Sequence, residues 1–256
     1  MTKKTAVVGA ISFALVVACS VPARATTINL MGTVRDFLDT HPDFEDGLGT
    51  DTGIVQGTLG ADGKPVYAGQ AGNPTTHGQA FFDQWYRDVP GTNLTGSHTI
   101  TLDNTITPDP NVFTFSDGAF FPIDGQLLGN QNRPHNYHFT YELHSDFTYQ
   151  GGESFAFTGD DDLWVFINDQ LVIDLGGVHG AQSQSVMLDS LGLTTGNDYD
   201  FDLFFAERHT TQSTFRIDTS ILLRPEQPAP EPATWLLFGV ASLGALVRKR
   251  RNRSGK

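Results

Sequence analysis

Three consecutive carboxylates, Asp160, Asp161 and Asp162, follow Gly159 between two apolar runs. Adjacent carboxylates in a tight turn repel one another unless water or a cation screens them. Oxygen-dense turns of this kind suit Ca²⁺, which takes about six to eight oxygen ligands in loose geometry. An ordinary solvated acidic turn is the competing reading. The turn is not an EF-hand loop, because the spaced D-x-D-x-D-G pattern and its distant Glu are missing. Gly-x-Ser-x-Gly and His-Glu-x-x-His are also absent, so no catalytic residue is assigned. Paired carboxylates still keep glycan hydrolysis open as an alternative.

The elements that must carry this turn read as β-strands. Tyr137, Phe139, Tyr141 and Leu143 alternate with polar residues, as do Tyr199, Phe201, Leu203 and Phe205, and again Phe215, Ile217 and Ile221. Leu163 to Ile167 is a short, fully apolar run followed by a turn at Asn168 and Asp169. Short period-2 runs separated by Gly, Asn and Asp turns predict an all-β, antiparallel fold, and several at this spacing predict a two-sheet β-sandwich. Trp164 and Phe166 are expected as core residues of their strand. The first half is less regular. A strand is expected over Thr27 to Val34, a long loop over 46–79, a short helix over 80–88 with Phe81, Phe82 and Trp85 on one side, and a hairpin within 101–135.

Residues Phe157 to Asn168 and Leu171 to His179 resemble the fibro-slime domain. Thr33 to Phe37 with His41 to Phe44 resembles its opening, and Phe205 to Thr211 through Ile217 its close, so the resemblance spans about residues 28–222. That domain is similar to the PA14 module, a β-sandwich found in toxins, glycosidases and adhesins. The resemblance implies that Asp160 and Asp161, joined by a cis peptide, bind Ca²⁺ beside a sugar. The motif runs on without gaps to Asn168. Asp162 stands where such modules often have Gly, which leaves open which two of the three carboxylates ligate. The resemblance also implies a completing loop before a late strand, here His209, Thr210, Thr211, Gln212 and Ser213. Glu207 and Arg208 flank it, either as part of the site or as a solvated pair. The bend at Gly176 to Gly180 presents His179 to the same rim, as a structural residue or a ligand. A zinc pair of His179 and His209 has no supporting spacing.

Both ends carry address labels. Lys3 and Lys4, the apolar segment Ala6 to Ala18 and the small-x-small site Ala23-Arg24-Ala25 read as a signal peptide over 1–25, with signal peptidase cutting between Ala25 and Thr26. A lipoprotein reading at Cys19 is the alternative. At the other end, Pro230-Glu231-Pro232 precedes the apolar run Trp235 to Val247 and a basic cluster from Arg248. This arrangement resembles the PEP-CTERM sorting signal, processed by an exosortase after transient inner-membrane anchoring; a plain tail anchor is the alternative. The basic end stays cytoplasmic and everything before it lies outside. The expected organisation is therefore a signal peptide over 1–25, one domain over 26–223, a Pro-rich spacer over 224–232 and a sorting helix with basic tail over 233–256.

The two ends hold nine of the 16 basic residues, leaving seven against 29 acidic ones, a net charge of −22. Nucleic acid and anionic lipid are poor partners for such a surface, and divalent cations are good ones. The single cysteine lies in the signal peptide, so no disulfide is expected. The combined expectation is an exported cell-surface or matrix protein, a Ca²⁺-dependent carbohydrate-binding or adhesion module linked to exopolysaccharide or biofilm. A structural matrix protein with a purely stabilising calcium is the third alternative.

Overall fold

The computed structural model describes residues 26–45, 47–69 and 75–225. The expected signal peptide, the processing residues Ala25, Pro230, Glu231 and Pro232, and the sorting helix lie outside them. Among the described residues no helix is long and apolar enough to cross a membrane.

The described residues form twelve strands: β1 (Thr27–Phe37), β2 (Gly49–Thr50), β3 (Asn93–Asp103), β4 (Phe113–Asp117), β5 (Phe139–Thr148), β6 (Ser154–Asp160), β7 (Asp162–Ile167), β8 (Gln170–Leu175), β9 (Gly177–Val178), β10 (Gln182–Met187), β11 (Asp198–Glu207) and β12 (Thr214–Thr219). The two layers of the expected sandwich are not separate sheets. Ten strands form one continuous ladder in the order β10-β6-β12-β4-β3-β1-β5-β11-β7-β8. It folds over at the seam between β3 and β4, which are paired only at Asp103 and Thr114. The hairpin expected within residues 101–135 is accordingly reduced to this single pairing of β3 with β4. The free edges return towards each other, where the Asp174 amide on β8 donates to Gln184 Oε1 on β10 at 3.1 Å.

The folded sheet encloses a core rich in phenylalanine. Phe120, Phe139, Phe157, Phe205 and Phe215 meet edge to face or tilted, with ring centroids 4.6–6.4 Å apart. Period-2 alternation puts Leu163, Val165 and Ile167 of β7 into it. Trp164 and Phe166 point the other way, yet both are fully buried. They pack in a second core with Ile54, Val55, Phe82, Trp85 and Tyr86. The described part of the segment read as a long loop is thus a cover over the outer face of the sheet, pinned by the pairing of β2 with β9 and by the bridge Thr58 to Gln170, and braced within itself by the bridge Val55 to Tyr67. The expected helix is shorter than its pattern, with one turn, α1 (Gln79–Phe82), carrying Phe82 and leading into Trp85. The β7–β8 turn is as expected. Asn168 and Asp169 both have positive φ, 52° and 61°, the backbone of a two-residue hairpin turn.

Under this cover lies a charged cluster. Glu142 accepts from Lys64 Nζ at 2.8 Å and pairs with Arg35 Nη1 at 3.2 Å. His144 Nδ1 sits 2.6 Å from Asp202 Oδ1, and its Nε2 is 3.9 Å from Glu142 Oε1. Burial opposes charge at both groups. The His144 contact, Arg35 and Lys64 outweigh it and hold Glu142 down to about 2. Asp202 and Glu142 outweigh it and lift His144 to about 9. Stability from Glu142 is therefore present above its ordinary carboxylate range and lost as pH falls towards 2. Stability from His144 is present below the ordinary histidine range and lost as pH rises through 9. The expected profile is a plateau from mildly acidic to neutral pH. His144→Gln should remove on the order of 2 kcal/mol at pH 6 and flatten the alkaline limb. Urea midpoints measured from pH 5 to pH 10 check this, and an unchanged alkaline limb would contradict it.

Candidate ligand-binding cleft

The acidic turn is the junction of two strands in different layers. β6 ends at Asp160 and β7 begins at Asp162, and the Asp160–Asp161 peptide is cis. Gly159 leaves no room for a side chain, because a Cβ there would lie 2.3 Å from the Thr214 carbonyl. The three carboxylates part company from this point. Asp160 accepts from the Thr214 amide and Asp161 from the amides of His179, at 3.1 Å, and Arg208, at 3.0 Å. Asp162 turns inward and is fully buried.

Asp162 is held by a two-pronged pair with Arg208, Nε to Oδ2 at 2.6 Å and Nη2 to Oδ1 at 3.0 Å, and accepts from the Gly177 amide at 2.6 Å. Gly177 reaches it with φ +113°, and a Cβ there would lie 2.2 Å from the Gly49 carbonyl. Arg208 spends its remaining donors on the Asp43 carbonyl, at 3.0 Å, and on the Thr75 carbonyl and hydroxyl, at 2.6 and 3.2 Å. It lies over the Trp85 ring at 4.6 Å. Arg208 is therefore a fully buried anchor between the sheet and the N-terminal cover. It is not half of a solvated pair, and it offers no surface to a ligand. Asp162 likewise has its charge committed inside the protein.

Asp160 and Asp161 face a cleft of about 420 Å³. One wall is His209, Thr210, Thr211 and Gln212; the other is Leu48 to Thr50 with Val178, His179 and Gly180. The expected loop is brought to the acidic turn, with one exception: Ser213 is fully buried, because alternation into β12 turns it inward. Asn168 lies at the opposite end of β7, donating its amide to the Asp200 carbonyl at 3.0 Å, and takes no part in the cleft. His179 lines the cleft, with Nδ1 3.0 Å from the Gly180 carbonyl and Nε2 3.2 Å from that of Leu175. Sequence reasoning missed Leu48 and Glu45. The Glu45 carboxylate accepts from the Thr210 amide at 3.1 Å and is 2.8 Å from His138 Nε2. No local pattern marks a residue whose partner is 165 positions away.

The electrostatics of the floor are one-sided. Burial pushes Asp160 up, and burial together with the Asp162 charge pushes Asp161 up to about 8. Glu207 is fully buried behind them and neither of its oxygens has a hydrogen-bond partner. The Ser213 hydroxyl lies beside it but does not meet hydrogen-bond geometry. Burial, then the Asp161 charge, lifts Glu207 well above the usual carboxylate range. Among the described residues, no three His, Cys, Asp or Glu side chains are grouped to hold a metal ion by themselves. A hard cation would therefore rest on Asp160 and Asp161, with further oxygens from the 209–212 loop or water. That donor set is all oxygen and fits Ca²⁺.

Residues 123–232 match the PA14 domain model, and residues 228–251 match the PEP-CTERM protein-sorting motif. The chain carries a PA14 domain and a PEP-CTERM sorting motif. Its similarity to curated proteins reaches further towards the N-terminus than the domain match. Protein psiQ of Dictyostelium discoideum is 45% identical over 184 residues, 67% of this chain and 18% of that protein. Protein psiR is 42% identical over 200 residues, 72% and 20% respectively. Protein psiD is 42% identical over 212 residues, 76% and 42%. The chain thus spans less than half the length of these relatives. Among solved structures, the PA14 domain of the MpAFP antifreeze protein overlaps with a TM-score of 0.37 at 11% identity, over 82% of this chain and 98% of that one. The PA14 sugar-binding domain from an RTX adhesin overlaps at 0.33 and 10%, over 75% and 90%. Residues before the matched segment line part of the cleft, Leu48, Gly49 and Thr50, while Glu45 braces Thr210 and Asp43 and Thr75 anchor Arg208.

Glu45 should matter to that cleft. Glu45→Ala is expected to cost about 1–2 kcal/mol through loss of charge-assisted hydrogen bonds. It should also speed hydrogen exchange at the Thr210 amide by at least about tenfold, since an opening free energy lowered by 1.4 kcal/mol is tenfold in population. Unchanged Thr210 protection would show that the loop is held by other means.

Proposed function

We propose that this is an exported surface protein whose PA14 domain binds carbohydrate through a calcium ion on Asp160 and Asp161. The observation that carries the reading is the cleft floor. Two buried carboxylates open onto it without an ion-pair partner among the described residues, and the nearby Arg208 guanidinium is committed to Asp162. A calcium ion on two carboxylates keeps coordination positions open, and adjacent sugar hydroxyls can replace water there. The sorting motif supports display outside the cell. Attachment to exopolysaccharide or biofilm matrix follows as the setting in which such a module works.

A binding role suits the floor better than a hydrolytic one. Glycoside hydrolysis needs two carboxyls flanking the scissile bond, about 5–9.5 Å apart. Here the two carboxyls are neighbours in sequence on one turn, and both accept backbone amides. Affinity for a single sugar is expected to be weak, in the range where a shallow polar cleft displaces well-bound water. Multivalent display compensates for this.

The test is retention on matrix polysaccharide from the native host, in calcium and in chelator. Retention is expected only in calcium, and Gln212→Ala, on the exposed rim, is expected to weaken it about three- to tenfold, the effect of losing one or two hydrogen bonds. The calcium-linked rise in melting temperature should persist in that variant. Calcium-linked stabilisation without any polysaccharide retention would favour the structural-matrix reading.

A further inference from the structure

The two walls of the cleft differ in chemistry. The His209 to Gln212 wall is polar. The facing wall is tipped by Leu48, which is 73% exposed and borders the cleft. A single exposed leucine is ordinary on a protein surface. This one is held in place from both sides. Before it, the Glu45 amide donates to the Arg208 carbonyl at 2.8 Å. After it, Gly49 and Thr50 pair with Val178 and Gly177, the Asp51 amide donates to the Gly176 carbonyl at 2.7 Å, and Gln182 Nε2 donates to Thr50 Oγ1 at 2.9 Å. The backbone that follows Leu48 is thus already hydrogen-bonded, so little further ordering on that side opposes contact with the occupant of the cleft.

We propose that Leu48 is a selectivity residue, and that the sugar it selects carries a methyl-bearing substituent, either an acetyl group or a 6-deoxy carbon. The inference rests on the carbohydrate reading above. A sugar ring whose adjacent hydroxyls approach Asp160 and Asp161 turns its far edge to the opposite wall. An unsubstituted hexose puts hydroxyls there, which would lose water against a leucine without gaining a partner. A methyl group at that position leaves water for an apolar surface, worth about fourfold in affinity.

The experiment uses the full domain in saturating calcium and compares sugar pairs that differ only in that group: L-fucose against L-galactose, and N-acetylgalactosamine against galactose. Affinities are read by saturation-transfer NMR titration. The wild type is expected to prefer the methyl-bearing member of at least one pair by about three- to tenfold, the range for one or two buried methyl groups. The two pairs distinguish a deoxy carbon from an acetyl group. Leu48→Ser should remove the preference, with the parent sugar bound no more weakly than by the wild type, since its hydroxyls no longer lose water against an apolar side chain. Leu48→Met should keep the preference, and the calcium-linked melting shift should be the same in all three proteins. Equal affinity within both pairs in the wild type, or a preference that survives Leu48→Ser, overturns the assignment while leaving carbohydrate binding intact. Binding of no sugar by the wild type in calcium removes the carbohydrate reading itself, and this inference with it.

Discussion

Replacing Arg208 with methionine is expected to destabilise the protein by about 3–5 kcal/mol, the cost of breaking one side of a buried ion pair. The guanidinium and the Asp162 carboxylate are both fully buried. Burial alone would pull the guanidinium down, but Asp162 outweighs it and holds the group charged. Methionine fills much of the same volume, so the loss measures the stranded Asp162 charge and the freed carbonyls of Asp43 and Thr75 more than a cavity. Arg208→Lys should rescue little, because a single ammonium cannot reproduce a fork that serves Asp162, Asp43 and Thr75 at once. The double change Arg208→Met with Asp162→Leu should recover a large part of the loss, since an apolar replacement of a buried pair is often near neutral. Urea denaturation checks all three, read as a shift in midpoint at constant slope. A loss below about 1 kcal/mol would mean that the buried pair adds little to the core contacts and backbone pairing that join the cover to the sheet.

Calcium at a hundredfold excess over its dissociation constant is expected to stabilise the protein by about 2.7 kcal/mol, and Asp161→Asn to abolish that gain. Asp161 is chosen over Asp162 because its carboxylate opens on the cleft, whereas Asp162 is committed to Arg208. Asp162→Asn should instead lower stability in calcium and in chelator alike, so the pair of variants separates a ligand from a structural anchor. Differential scanning calorimetry of protein prepared with chelator, then titrated with calcium, reads both. A wild type whose transition does not move with calcium would remove the cation from the proposed site. Asp162→Asn losing only the calcium increment would exchange the roles of the two residues.

The parts of this protein legible in its sequence are those in which neighbours along the chain decide the outcome. Alternation in Tyr137 to Leu143 and Tyr199 to Phe205 became β5 and β11, and the Asn168-Asp169 turn formed where two positive-φ residues were needed. The acidic turn and the 209–212 loop were legible through a resemblance, because both are short motifs that keep their spacing. The cover was not legible, nor was the joining of the two layers into one continuous sheet. Residues 46–79 are rich in Gly, Thr and Asp and carry no period, so nothing local tells a disordered loop from a strap that buries Ile54 and Val55 against Trp164.

Arg208 shows the limit most clearly. Next to Glu207 and before a polar loop, its local context favours a solvated charge, since an unpaired arginine is costly to bury. Burial becomes tolerable only when Asp162, Asp43 and Thr75, 46, 165 and 133 positions away, supply its partners together. The identity of three adjacent carboxylates was likewise a matter of sequence, but the division of labour among them was not. Two open on the cleft and one is turned inward because β6 and β7 leave the junction in different directions, a property of the folded sheet. The sequence alone determined the strand pattern, the sorting motif and the carboxylate turn, all of them local. Which charges are satisfied internally, and which are left facing the cleft, was decided by contacts that exist only once the N-terminal cover has closed over the sheet.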